Sequence, residues 1–197
     1  MIQKIFPDHG RSAAVEVDKR FILSKLEKGA SRRKYADPTQ WLIDAGMAYY
    51  AINVNSFDLP FANNSNPKLF KLYSLDPGIV CHMSIQGRQF EVMSGLININ
   101  EGVLAENFVA AELAKKGQNL FYYDKKSKHE LDFLLSDSDG VHVVEVKSGD
   151  NFTSHASLDY AMEHERARIS HATVLCKSNL YCKDDVRYLP LYMAMFL

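Results

Sequence analysis

Cysteine is scarce in this 197-residue sequence: Cys81, Cys176 and Cys182 are too few for a disulfide framework, and their odd number suits a reducing compartment. Nor do they form a zinc pattern, since no paired Cys or His set lies near them. At least two are expected to be buried small hydrophobes. No window approaches the ~18 to 20 apolar residues of a membrane helix. Residues 1–20, MIQKIFPDHGRSAAVEVDKR, lack the apolar core of a signal peptide. A soluble, cytoplasmic protein is therefore expected, with no membrane partner. Neither sign of charge prevails. With 23 Lys and Arg against 24 Asp and Glu the formal net charge is −1, so any nucleic-acid contact must come from a local patch. No Gly-Lys pair occurs anywhere, which excludes a GxxxxGK[ST] phosphate-binding loop and, with it, an ATPase of that kind.

What is present describes a globular chain. A hydrophobic fraction of 47% and a charged fraction of 24% argue against disorder, and the length can bury one ordinary core or two small ones. Residues 13–30 suit an amphipathic helix, with Val17, Phe21, Ile22 and Leu26 at helical spacing and Gly29 as its stop. Residues 32–46 suit a second, anchored by Trp41 and Leu42, with Pro38 starting its latter half. AYYAINV (48–54) and KLFKLYSL (68–75) read as strands about a loop rich in Asn, Pro and Ser. That order is compatible with a winged-helix-like α+β segment over 1–83, followed by a connector over 84–101. From 102 to 197 the expected order is helix (102–116), strands (119–124, 130–135, 141–147), helix (155–169), strand (171–177) and a short ending through Pro190. An α/β layer domain follows from it.

The most informative stretch is ELDFLLSDSDGVHVVEVKSG, residues 130–149. Asp137-Ser138-Asp139-Gly140 is a turn signal between two apolar runs. A hairpin folded about it pairs positions that sum to 277, so Asp132 faces Glu145 and Glu130 faces Lys147. Strict alternation then puts all four charges on one face and Leu131, Phe133, Val144 and Val146 on the other. Opposed carboxylates, with Cβ atoms ~4.5 to 5.5 Å apart, repel unless a proton or a cation intervenes. Mg²⁺ or Mn²⁺ would resolve the conflict, and Lys147 would then steady an attacking water or a developing phosphoryl charge. A plain surface ion pair between Glu130 and Lys147 remains the competing account. Against it stands the run VVEVK, whose valines cover both faces as in a strand buried on both sides.

The helix EGVLAENFVAAELAKKG, 101–117, has almost no polar side, and its projection places Glu106 between Leu113 and Ala110. A buried carboxylate needs a partner: a metal, a backbone amide, or a lysine such as Lys147. Basic residues gather at Arg11 to Lys34 and again at Lys115, Lys116, Lys125, Lys126 and Lys128. In the second group Tyr122 and Tyr123 interleave, as phosphate contacts with aromatic stacking would require and as a solvated helix end would also show. Seven histidines are scattered without metal spacing. His155 lies in the turn after VEVKSG, where Ser154 is the better helix cap.

Glu106, Asp132 and Glu145-Val146-Lys147 follow the motif order of the PD-(D/E)xK nuclease superfamily. More narrowly, WLIDAG (41–46), KLFKLYSLDPGI (68–79), GVLAENFVAAEL (102–113), ELDF (130–133), VEVKSG (144–149) and SHASL (154–158) resemble the C-terminal region, domain of unknown function 4143, of prokaryotic AAA+ ATPase-like proteins. This resemblance implies a restriction-endonuclease-like mixed α/β sheet flanked by helices, preceded by a winged-helix-like segment. It implies Asp132 and Glu145 as metal ligands, Lys147 as charge stabiliser and Glu106 as an assisting acid. Leu131 stands where the superfamily label has proline, a variable position. Since such proteins usually carry an ATPase module upstream, the chain looks like a fragment, a truncated product or a stand-alone remnant of one.

Two functions of different class follow. One is a Mg²⁺-dependent nuclease acting on a DNA or RNA phosphodiester. The other is a non-catalytic DNA-binding or protein-interaction module coupled to an ATPase domain. Metal dependence separates them.

Overall fold

A computed structural model of the chain describes residues 32–125 and 128–197. The helix expected over 13–30 lies outside the described residues. Five helices and eight strands carry most of the described chain, in the order α1 (Arg32–Asp44), β1 (Ala48–Val54), β2 (Ser65–Ser74), α2 (Pro77–Ile85), α3 (Gln89–Met93), α4 (Glu101–Lys115), β3 (Leu120–Lys125), β4 (His129–Ser136), β5 (Val141–Val146), α5 (Ala156–His164), β6 (Ile169–Cys176), β7 (Tyr181–Lys183) and β8 (Val186–Pro190). The strands form one mixed sheet, ordered β2-β1-β3-β4-β5-β6-β8-β7, with helices flanking it. β1 runs parallel to β3, β5 to β6 and β6 to β8; β3, β4 and β5 form an antiparallel meander. No described helix is long and apolar enough to cross a membrane.

Contacts group the described residues into two compact units, one of residues 32–50 and 71–111, the other of residues 51–70 and 112–197. In the first unit Leu42 is fully buried whereas Trp41 is 54% exposed, so of the two expected anchors of α1 only Leu42 packs inside. Pro38 sits inside α1 instead of starting a new helix half. A proline removes one hydrogen bond and crowds the preceding turn, a cost this helix bears without ending. Pro77 opens α2, which Asp76 caps by accepting from the Gly78 N–H at 2.6 Å and which ends at Ile85; the expected connector over 84–101 then contains α3.

The second unit centres on β5, whose six residues, Val141 to Val146, are all buried. β-branched residues on both faces suit a strand covered on both sides. Val54, Leu134, Val143, Leu158 and Val174 belong to one apolar cluster within this unit. The β4–β5 turn closes on Asp137, whose Oδ1 accepts from the N–H groups of Asp139 (2.9 Å) and Gly140 (2.8 Å). Gly140 has φ of +145°, and a Cβ there would stand 2.7 Å from the Arg168 carbonyl oxygen. The turn sets the expected register: Ser136 pairs with Val141, Leu134 with Val143 and Phe133 with Val144.

Beyond Phe133 the regular pattern stops. Across the β3–β4 pair, Phe121 stands opposite Leu134 but Tyr123 opposite Leu131, so Asp132 and Phe133 together oppose Tyr122. This is a bulge of two residues against one. It puts Leu131 in the same apolar cluster as Leu134, which strict alternation forbids. The expected placement of Leu131 with Phe133, and of Glu130 in step with Asp132, is corrected by that one extra residue. The C-terminal stretch, expected as a short ending through Pro190, supplies β7, β8 and a final 3-10 turn over Leu191–Phe196. β8 finds its place by pairing along β6 from Ala172–Val186 to Cys176–Pro190.

Candidate functional site

Asp132 and Glu145 are both buried, at 4% and 6% exposure, deep among apolar strands. A carboxylate in such surroundings requires hydrogen bonds or an opposite charge. Asp132 meets this with Oδ2, which accepts the Val146 N–H at 2.9 Å. The bulge makes the bond intelligible: it displaces the β4 backbone, and the side chain takes the N–H just past the last paired position of β5. Glu145 Oε1 pairs with Lys147 Nζ at 2.9 Å, and the lysine side chain is 30% exposed. The Lys147 N–H meanwhile continues the sheet by donating to the Leu175 carbonyl at 2.8 Å. One end of the β4–β5 hairpin thus gathers two buried carboxylates and a half-buried ammonium that reaches solvent.

Among the described residues no group of three or more His, Cys, Asp or Glu is arranged to hold a metal ion. Two carboxylates are a different donor set. Mg²⁺ is commonly held by one or two carboxylates, with waters and substrate phosphate oxygens completing the octahedron.

Glu106 lies in the unit of residues 32–50 and 71–111, and there it has partners that sequence reasoning missed. Its Oε1 accepts from Lys71 Nζ at 2.8 Å and from the Tyr73 hydroxyl at 2.7 Å. Lys71 has no exposed surface at all. The clue was available in FKLYS, where Lys71 and Tyr73 share a strand face by alternation. The partner is thus a lysine, as one expected option had it, but from β2. The next residue, Asn107, completes the clamp: its Oδ1 accepts from the Ser74 N–H (2.8 Å) and its Nδ2 donates to the Ser74 carbonyl (3.0 Å).

The basic group is partly engaged. Lys115 pairs with Glu112 at 2.5 Å, Lys116 donates to the Leu197 carbonyl at 2.6 Å, and Lys125 donates to the Tyr160 hydroxyl at 3.0 Å. That last bond raises the Lys125 pKa. Lys128 is exposed, and Lys126 lies outside the described residues. Tyr122 and Tyr123 are buried, at 1% and 6% exposure, which removes both rings from any stacking surface. His155, not Ser154, occupies the cap position of α5, and its side chain does not cap. Its Nε2 lies 2.6 Å from the Tyr188 hydroxyl and its Nδ1 2.8 Å from Asp159 Oδ1.

No curated protein and no solved structure matches the chain. Residues 5–91 match the family described as domain of unknown function DUF8612, and residues 101–193, which contain the carboxylate pair and its lysine, match domain of unknown function DUF4143.

Proposed function

We propose that the carboxyl end of β5 is a metal-dependent phosphodiester-hydrolysis site. The observation that carries this reading is the pairing of buried Asp132 with Glu145-Val146-Lys147, the lysine 2.9 Å from the glutamate and open to solvent. Asp132 and Glu145 would hold Mg²⁺ or Mn²⁺; when bound, such an ion lowers the pKa of its water and neutralises charge on a phosphoryl oxygen. The protein's own contribution is orientation. The Val146 N–H fixes the Asp132 carboxylate, burial excludes competing water, and Lys147 offers a cation to charge developing on the phosphate. In this reading the sheet is restriction-endonuclease-like, the preceding segment is winged-helix-like, and DNA is the substrate. Glu106, ion-paired to Lys71, assists by holding α4 and β2 in place.

A second reading is supported by the internal pairing itself. Lys147 already answers the Glu145 charge, and three of the basic residues are occupied by Glu112, Leu197 and Tyr160. Such a domain would be a non-catalytic DNA-binding or protein-interaction module working beside an ATPase module. Calorimetric titration with Mg²⁺ and Mn²⁺, on the wild type and on Glu145→Ala, separates the two. The hydrolytic reading expects saturable binding that the variant loses, followed by metal-dependent cleavage of branched, linear or single-stranded DNA. A folded wild type that binds neither ion refutes it and leaves the module.

A further inference from the structure

Tyr122 and Tyr123 are buried, but other aromatic rings gather where β3 ends and β4 begins. Lys125 and His129 are directly opposed across the β3–β4 pair, and both reach Tyr160 of α5. The His129 ring stacks on one face of Tyr160, with centroids 3.9 Å apart and planes inclined by 7°. His164, one helical turn further along α5, stacks on the other face at 4.1 Å and 21°. Its Nδ1 donates to the Tyr160 carbonyl at 2.9 Å, which fixes the imidazole plane. Glu130 N–H donates to Ser157 Oγ at 3.2 Å, so the first turn of α5 is tied to the start of β4. The result is a three-ring ladder, His129–Tyr160–His164, ending in a half-exposed imidazole, with 48% of the His164 side chain open to solvent.

We propose that this ladder is a stacking platform for single-stranded nucleic acid. A base would lie on the outer face of His164 and the adjoining phosphates would meet Lys125 and Lys128. Three observations support it. First, an aligned stack that ends in an imidazole with 48% of its side chain exposed is what an unpaired base extends, since every base offers a π-face of its own; a base locked in a duplex does not. Second, charge is graded along the ladder. The lysines stand at the His129 end, whereas Glu163, 79% exposed, lies 3.9 Å from His164 Nδ1 at the other. Phosphates therefore belong at the lysine end and a neutral base at the histidine end. Third, His129 precedes Asp132 by three residues, about 10 Å along a strand, so a bound strand runs toward the carboxylate pair. This deepens the phosphodiester reading by naming its substrate class, and it rests on that reading only for the direction of the strand.

The test is fluorescence anisotropy with a fluorescein-labelled oligodeoxythymidylate, in chelator so that hydrolysis plays no part, with the full chain. Wild type is expected to bind the oligonucleotide more tightly than the same sequence annealed to its complement. His164→Ala should weaken binding about 5- to 150-fold, the range for loss of one stacked base. His164→Phe, which keeps a ring, should restore it. Lys128→Ala should reduce the slope of log affinity against log salt by about 1. Thermal melting confirms that each variant is folded. Wild type that fails to bind, preference for the duplex, or His164→Ala binding as well as wild type overturns the proposal. A protein that binds the oligonucleotide but no metal overturns the hydrolytic reading alone.

Discussion

His142 makes stability depend on pH in a way that can be calculated and isolated. The residue lies on β5, 7% exposed, with Nε2 2.8 Å from the Thr173 hydroxyl. Burial, then the charges of Arg187 and His171, push its pKa down from 6.5 to about 4, against a smaller opposing pull from Asp137. The native state therefore resists a proton that the unfolded chain accepts. Above pH 6.5 both states hold a neutral ring and the group contributes nothing to pH dependence. Between pH 6.5 and 4 the unfolded state binds more protons, so stability falls by about 1.4 kcal/mol for each unit of acidification. The total approaches about 3 kcal/mol at pH 4, below which both states are protonated and the slope vanishes. His142→Gln removes the titration and keeps a partner for Thr173. Urea unfolding of both proteins, from pH 7.5 to pH 4, should give curves whose difference opens steadily below pH 6.5. Carboxylates titrate in both proteins and cancel. A difference that stays constant over that range refutes the account of a neutral, desolvated imidazole.

Other consequences follow from the same packing. Lys71→Met leaves Glu106 in the interior without its cation and should cost about 3–5 kcal/mol, whereas Lys71→Met with Glu106→Leu should recover much of it; urea unfolding of the full double-mutant cycle measures the coupling. Asn107→Ala strands the buried N–H and carbonyl of Ser74 and should cost about 2–4 kcal/mol in the same assay. Gly140→Ala forces a Cβ against the Arg168 carbonyl at a φ few side chains adopt, and should lower the melting temperature, at a cost of about 1–3 kcal/mol or more.

Hydrophobic pattern and turn chemistry carried much of the fold. The hairpin register was legible because Asp137 to Gly140 is a turn that closes on itself, and the run VHVVEV announced a strand covered on both faces. The bulge was not legible. Nothing in ELDFLL distinguishes a regular strand from one with an extra residue, because the choice depends on what β3 presents opposite. Lys71 escaped for a related reason. Its burial is set by Glu106, 35 positions away, and a lysine in an alternating strand ordinarily marks the solvent face. The meeting of Asp132, Glu145 and Lys147 at one end of the hairpin was legible from spacing, whereas the His129–Tyr160–His164 ladder joins two elements whose packing no local pattern reports.

The bulge in β4 connects these features physically. A regular β4 would put Leu131 on the face of Phe133 and leave the Val146 N–H to the strand backbone. With Asp132 and Phe133 together opposite Tyr122, Leu131 joins the apolar cluster of Leu134, and Asp132 takes the Val146 N–H through its side chain. The carboxylate is thereby fixed beside β5 instead of projecting at random from a strand surface. On the other side of the bulge the β3–β4 pairing resumes through Glu130 to His129, and there Lys125 and His129 converge on Tyr160. Deleting one residue between Leu131 and Leu134 would restore alternation with the Lys125–His129 pair still in register, and it would remove the displacement by which Asp132 takes the Val146 N–H. Bulges recur beside functional sites because they re-aim side chains in this manner. Here the re-aimed side chain is the aspartate on which the proposed chemistry depends.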